Sequence, residues 1–293
     1  MPVHWYETDK IKSYRGLKYM MIHERNDKMW EPMKSDCSKC SGLCCTALYF
    51  SKMDGFPKDK VSGQPCINLL KDYRCKIHSQ LEKQKMKGCI GYDCFGAGQQ
   101  VTQVIYQGRT WNDIPNQAAE IFDVFVIVFQ LYQIRYYLIE AMSLVSAQPL
   151  AKSIQCLIEE NIKMCHDRPT NILSIDLEQY RNRSNTILKQ VCKLLQKSMH
   201  SENKKIPANF LGGNFKGQDM SGADLSTKLL IAANFEKSLF KGTIFLGADT
   251  RDTNFSNADL SEAVFLTQGQ VNSAKGNRNT KLPYHLDYPS TWK

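Results

Sequence analysis

Eight cysteines crowd residues 37–94 of this 293-residue chain. Cys37, Cys40, Cys44 and Cys45 form a C-x2-C-x3-C-C run, Cys66 and Cys75 follow with eight residues between them, and Cys89 and Cys94 close the set. Thiolate is a soft ligand suited to zinc or iron–sulfur chemistry, and close spacing lowers the entropic cost of assembling a tetrahedral site. Eight sulfurs suffice for two four-ligand sites, and they also suffice for one shared polynuclear cluster; spacing alone leaves both open. His78, three residues after Cys75, is either a further ligand or a polar neighbour of the site. Cys75 and His78 also have the residue types of a nucleophile and its base, but eight clustered thiols favour metal over catalysis, so whether the chain is an enzyme stays undecided.

The cysteine count bears on compartment. Eleven cysteines stand in the whole chain, and the opening MPVHWYETDKIKSYRGLKYM has no uninterrupted apolar stretch of the kind a secretory signal needs. A cytoplasmic location is expected, where thiols stay reduced and metal binding explains cysteines better than disulfides do. No run of about eighteen apolar residues suggests a membrane span. The most apolar window, Val124 to Phe129, reads as part of a buried helix. The short piece Phe95 to Gln99 (FGAGQ) lacks the spacing of a phosphate loop or dinucleotide fingerprint, and its glycines read as a tight turn after Cys94.

Three elements must position these residues. Residues 1–105 show no sustained periodicity and read as an irregular cysteine-rich, metal-binding region. Residues 106–200 read as helical: one helix from Asp113 to about Ser146, a second over Ala151 to Cys165, and a third from Ile175 to about Ser198. Cys156, Cys165 and Cys192 fall on the apolar faces of the last two and are expected as small core residues. The polar segment His200 to Pro207 marks a boundary.

Beyond it the chain repeats in fives from Ala208 to Thr267, twelve units without a gap. The third place of each unit is Phe, Leu or Met in eleven of the twelve, with Thr250 the exception, while the first place is mostly small. A period of five fits neither a helix nor a strand, so each unit must turn the chain back toward one axis. These units resemble the A-(D/N)-(L/F)-x-x motif of pentapeptide-repeat proteins. The resemblance implies a right-handed quadrilateral β-helix over residues 201–267, with four units per coil and the first and third places facing inward. Three coils spaced like strands stand only roughly 15 Å tall. The tail, residues 268–293, is the expected cap at one end, and the helix ending near Ser198 at the other.

The cysteine run through residues 37–98 resembles the cysteine-cluster domains described as zinc- or iron-chelating, although the stretch LEKQKMKG intervenes where those domains carry a proline-containing turn. The expected class is therefore multidomain α+β: a metal-binding region, a helical middle and a C-terminal β-helix.

Charge narrows the function. The whole chain carries +9, but residues 208–267 hold five Lys/Arg against seven Asp/Glu, a balance of −2, which leaves +11 elsewhere. Members of the pentapeptide family that shield type II topoisomerases by mimicking DNA need a long acidic rod, and three nearly neutral coils make a poor one. The expectation is a macromolecule-binding protein, with a protein as the first partner class and nucleic acid a further one through the basic N-terminal regions. Self-protection against an antibiotic or toxin follows from the resemblance alone. A metal-dependent or iron–sulfur enzyme using the repeat as scaffold is the rival reading, and a secreted effector is a further one.

Overall fold

The computed structural model describes residues 27–292. Helices α2 (Ala118–Ser143), α3 (Ala151–Met164) and α5 (Leu177–Ser198), with the short α4 (Pro169–Leu173) between the last two, occupy the stretches of 3.6-residue periodicity. Helix α2 starts after a Pro-led turn at Pro115–Gln117. It buries residues around its whole circumference, Val124, Phe125, Val128, Leu131, Leu138 and Ala141 among them, because α3, α4 and α5 pack on one side and the cysteine-rich layer on another. By length and mean hydropathy the stretch Pro115–Ser143 is long and apolar enough to cross a membrane, the one such helix among the described residues; counting only uninterrupted apolar residues does not pick it out. It serves here as the central core helix. Cys165 and Cys192 are buried as expected, whereas Cys156 is exposed, on the outer side of α3.

The expected α+β class with a C-terminal right-handed quadrilateral β-helix is overturned. Among the described residues no β-strand forms; the regular secondary structure is helical, and the repeat consists of turns joined by isolated bridges one residue wide. The reason is geometric, since a strand needs several consecutive extended residues and these units bend the chain every fifth.

The bend is made at the fifth place. From Gly212 to Asn257 each fifth residue has a positive φ, whether it is glycine, as at Gly217, or not, as at Thr227, Ala232, Lys237 and Asp252. The third-place carbonyl accepts from the amide that opens the next unit, as in Gly213 N to Phe210 O at 2.9 Å, which closes a β-turn with its left-handed residue where a type II turn requires one. The second place of each unit then bridges in parallel to the residue twenty positions on: Asn214 to Asn234, Asp219 to Leu239, Asp224 to Ile244. Four units therefore make one level of the stack.

Side-chain choice follows from this path. Third-place residues fill the axis, where Phe215, Phe235 and Phe255 stack at 5.1 and 6.0 Å between ring centroids. First-place hydroxyls inside the stack donate to carbonyls one level away, Ser238 to Phe215, Thr243 to Met220 and Thr253 to Leu230, so no buried hydroxyl there lacks an acceptor. Second-place Asp and Asn accept from the amide two residues on, as Asp219 does from Ser221 N at 2.8 Å, and Asn214, Asn234 and Asn254 form a ladder of 3.0 Å side-chain bonds. The odd residue Thr250 is satisfied by the carbonyl of Gln270 at 2.8 Å.

Gln270 belongs to α6 (Gln268–Ser273), which opens the tail. The tail continues the stack through bridges from Asn254 to Lys275 and from Asp259 to Lys281, and Trp292 closes it, packed so tightly over Gly276 that a Cβ there would meet the indole at 2.5 Å. The helical layer holds the last level from the side. Glu140 of α2 accepts from Phe265 N at 2.8 Å, and Tyr136 donates to Leu266 O at 2.7 Å while also bonding His285.

Glu140 is fully buried, and burial pushes its carboxyl up to about 8 despite the opposing bond from Phe265. The fold thus holds a proton that the unfolded chain releases at ordinary carboxylate pH. Its contribution to stability is complete below about pH 4.5 and is lost as pH rises through about 8. Thermal unfolding followed from pH 5 to 8.5 is expected to show a falling melting temperature that Glu140→Gln flattens; an unchanged slope in that variant would show the carboxyl to be ionised in the fold. Phe235→Ala, which empties the middle of the ring stack, is expected to cost about 3–5 kcal/mol in denaturant unfolding.

Candidate thiol site

Four segments bring the eight thiols into one layer beside α2. The C-x2-C-x3-C-C run forms a helical turn at Cys37–Lys39, capped by Asp36 accepting from Ser38 N, and then α1 (Leu43–Ala47), which carries Cys44 and Cys45. The segment around Cys66 and Cys75 folds back on itself through a Leu69–Cys75 bridge and is tied to α1 by Cys66 N donating to Cys45 O at 3.0 Å. Cys89 sits in a helical turn at Lys87–Ile90. Cys94 precedes the FGAGQ piece, in which Gly96 has φ +88° and Ala97–Gln99 form a helical turn. Gly96 makes the tight turn after Cys94, whereas Gly98 lies in the helical turn beyond it and makes room for sulfur: a Cβ on Gly98 would lie 2.6 Å from Cys40 Sγ and 3.9 Å from Cys94 Sγ.

Each thiol has a distinct environment. Cys44 Sγ and Cys45 Sγ are 4.0 Å apart. The hydrogen bond between them raises the Cys44 thiol, which burial raises further, and lowers Cys45, which the Lys60 ammonium also favours as thiolate. Lys60 is itself buried, with Nζ donating to the carbonyls of Thr46 and Leu48 at the C-terminal end of α1. Burial pushes the Cys40 thiol up to about 11, and burial together with Cys45, Cys66 and Cys75 pushes Cys89 up to about 12. Ser35 lies 3.1 Å from Cys94 Sγ and donates to Asp93 at 2.5 Å. His78 is exposed at the start of a separate turn, held by its amide to Cys75 O, and no thiol contact places it in the set.

All eight cysteines are unpaired, as are Cys156, Cys165 and Cys192. Among the described residues no three His, Cys, Asp or Glu side chains already surround one point closely enough to hold an ion. The donor chemistry nevertheless suits a thiophilic metal: sulfur dominates the cluster, and the buried Lys60 supplies positive charge beside thiolates that would otherwise repel one another. Lys60 is a residue that sequence reasoning does not find, because nothing in the pattern Lys58–Asp59–Lys60 separates a buried ammonium from the exposed one two residues earlier.

The repeat is one of a known kind: residues 229–265 match the family of pentapeptide repeats in eight copies. The chain is also 37% identical over 274 residues to the uncharacterised protein YybG of Bacillus subtilis (strain 168), a match covering 92% of this chain and 98% of that protein. It belongs to the same family as YybG. No solved structure matches it.

Because Gly98 leaves the space in which Cys40 sits, Gly98→Ala is expected to dislodge that sulfur while the helices persist. Alkylation of Cys40, followed by mass spectrometry, should then run severalfold faster than in the native chain. An unchanged rate would mean that Cys40 is not seated against the glycine.

Proposed function

We propose that this is a metal-binding, macromolecule-binding protein of the cell interior. Its thiol layer holds zinc or an iron–sulfur cluster, and its repeat stack presents a surface to a protein partner. The observation that carries the reading is the gathering of eight unpaired thiols from four segments, seven of them half-buried and Cys37 exposed, in the cysteine-rich region packed on α2. Cysteines from separate segments otherwise have little reason to be brought together in a protein without disulfides. Cys37, Cys40, Cys44, Cys45, Cys66, Cys75, Cys89 and Cys94 are the ligands this reading assigns. A bound metal would draw them inward and supply the cross-link that an irregular region with little regular structure needs in order to stay folded. The stack supports the second half of the reading. Its outer face is studded with Leu211, Leu229 and Leu239, each about half exposed, where the repeat elsewhere puts polar residues.

Purification without oxygen, followed by metal analysis and a visible spectrum, tests the metal assignment. Stoichiometric zinc in a colourless protein is expected for a structural site, and iron with labile sulfide and broad visible absorbance for a cluster. Protein that carries neither metal, and that takes up neither when reduced and reconstituted, would sink the reading. Serine at Cys37, Cys40, Cys44 and Cys45 together is expected to abolish binding.

A further inference from the structure

Helix α5 carries its charge unevenly. From Gln179 to Ser201 the chain runs through 23 residues with five Lys/Arg and no Asp or Glu. Arg181 and Arg183, in the first half of the helix, are already engaged: Arg183 pairs with Glu160 of α3, and Arg181 donates to Gln130 of α2. Lys189, Lys193 and Lys197 are not. All three are exposed, and among the described residues no carboxylate lies within ion-pair distance of any of them. Spaced four residues apart, they fall on one side of the helix, opposite Tyr180, Ser184, Leu188, Val191 and Leu195, which are buried against the core. Asn182 and Thr186, also exposed, continue the same line toward the start of the helix. The acidic residues there, Asp176 and Glu178, lie roughly 16 Å or more from Lys189. The arrangement works against the helix itself, because like charges four residues apart repel. The negative end of the helix dipole offsets this for Lys197, in the last turn, but not for Lys189 or Lys193.

We propose that this stripe binds the phosphate backbone of a double-stranded nucleic acid without reading its sequence. Three ammonium groups at intervals of about 6 Å along the helix face a polyanion that carries a charge every ~1.7 Å of its axis, so each can meet a phosphate. Asn182 and Thr186 add uncharged donors of a kind that also contacts phosphate oxygens. The rest of the surface separates this ligand from its competitors. A protein partner is held by apolar and aromatic anchors at the centre of the interface, and no large apolar side chain of α5 is exposed. An interfacial membrane helix inserts an apolar face, and that face of α5 is buried in the core. Single strands are held by bases stacked on aromatic side chains, and the one aromatic residue of α5, Tyr180, is buried. What the stripe offers is charge and hydrogen-bond donors in a line, which is what a duplex backbone takes. The net charge of +9 draws a polyanion toward the molecule as a whole. The surface needs nothing from the thiol layer and none of the exposed leucines of the stack.

The test titrates the full chain, with its thiols kept reduced, onto a fluorescein-labelled DNA duplex of mixed sequence and follows anisotropy over a range of salt concentrations. Binding that weakens steeply with salt is expected, with the same affinity for a second duplex of unrelated sequence. In the combined variant Lys189→Gln, Lys193→Gln and Lys197→Gln, the plot of log K against log salt should lose about 2.7 from its slope, about 0.9 for each phosphate contact removed. The helical circular dichroism should persist, since all three side chains are exposed. Lys216→Gln, Lys237→Gln and Lys241→Gln together remove the same charge from the stack and should leave the slope in place. Equal losses in the two variants would show that binding follows total charge, and no binding by the native chain at low salt would show a merely solvated stripe; either result overturns the proposal. So would retention of phosphatidylserine vesicles through the three lysines by a chain that ignores the duplex. Lysine acetylation read by mass spectrometry checks the native chain without any substitution. The duplex should slow it severalfold at Lys189, Lys193 and Lys197 but not at Lys237, and equal rates with and without duplex would overturn the assignment.

Discussion

A left-handed residue at every fifth position is the constraint on which the C-terminal repeat is built. Once the fifth place of each unit takes φ near +60°, the chain turns there, the third place points to the axis, and the second place forms the bridge to the next level. An L-residue in that conformation costs on the order of 1 kcal/mol relative to glycine. The stack nevertheless tolerates Thr227, Ala232, Lys237, Asp252 and Asn257 there, because each turn is held from two sides. One bond closes the turn, and a second joins it to the level above, as in Thr227 N to Leu246 O at 2.9 Å. The same path explains the small first place, whose side chain faces inward beside the large third-place rings, and the hydroxyls that replace alanine there only where a carbonyl of the neighbouring level can accept.

The helical layer depends on the stack in turn. Helix α2 carries two ionisable groups into its buried face. Arg135 lies 3.8 Å over the ring of Tyr132, and Glu140 reaches the amide of Phe265, whose own φ of +60° leaves that amide outside the repeat pattern. A buried carboxyl against a main-chain amide is directional, so it fixes the rotation of α2 relative to the last level in a way that apolar packing alone does not. Trp30 stacks on His285 at 4.0 Å and donates to Tyr284, so the start of the described chain, the central helix and the tail meet at one place.

Much of this was legible in the sequence, unevenly. The five-residue period fixes the turning, the inward third place and the count of levels, and the apolar spacing fixes three long helices. The period does not say how many consecutive residues extend between bends. The answer is one, which is why the expected β-helix gives way to turns and single bridges. Thr250 breaks the repeat for a reason carried twenty residues downstream, in Gln270. Cys156 follows the spacing of a core face, yet α3 turns it outward because α2 and α5 cover only the Ile154, Leu157, Ile158 and Asn161 side. The eight cysteines stand out by composition, but which of them face one another depends on the fold-back at Cys66 and on the space at Gly98, and neither has a periodic signature.

The thiol layer and the stack are joined by contacts of unequal weight. Lys87, two residues before Cys89, pairs with Asp252 at 2.8 Å, and both side chains are substantially exposed, so the pair contributes little on its own. The closer constraint is main chain on main chain. A Cβ on Gly269 of α6 would lie 2.6 Å from the carbonyl of Gly91, an approach that no other residue at position 269 allows. Gly91 ends the turn that carries Cys89, and Gly269 stands next to Gln270, which satisfies Thr250 in the stack. The position of one thiol-bearing turn is therefore set by the cap of the repeat, through a backbone contact that side-chain substitution on the surface does not reach. This ties the geometry of the cysteine layer to the integrity of the last level, and it makes the cysteine-rich region and the repeat stack parts of one folded unit.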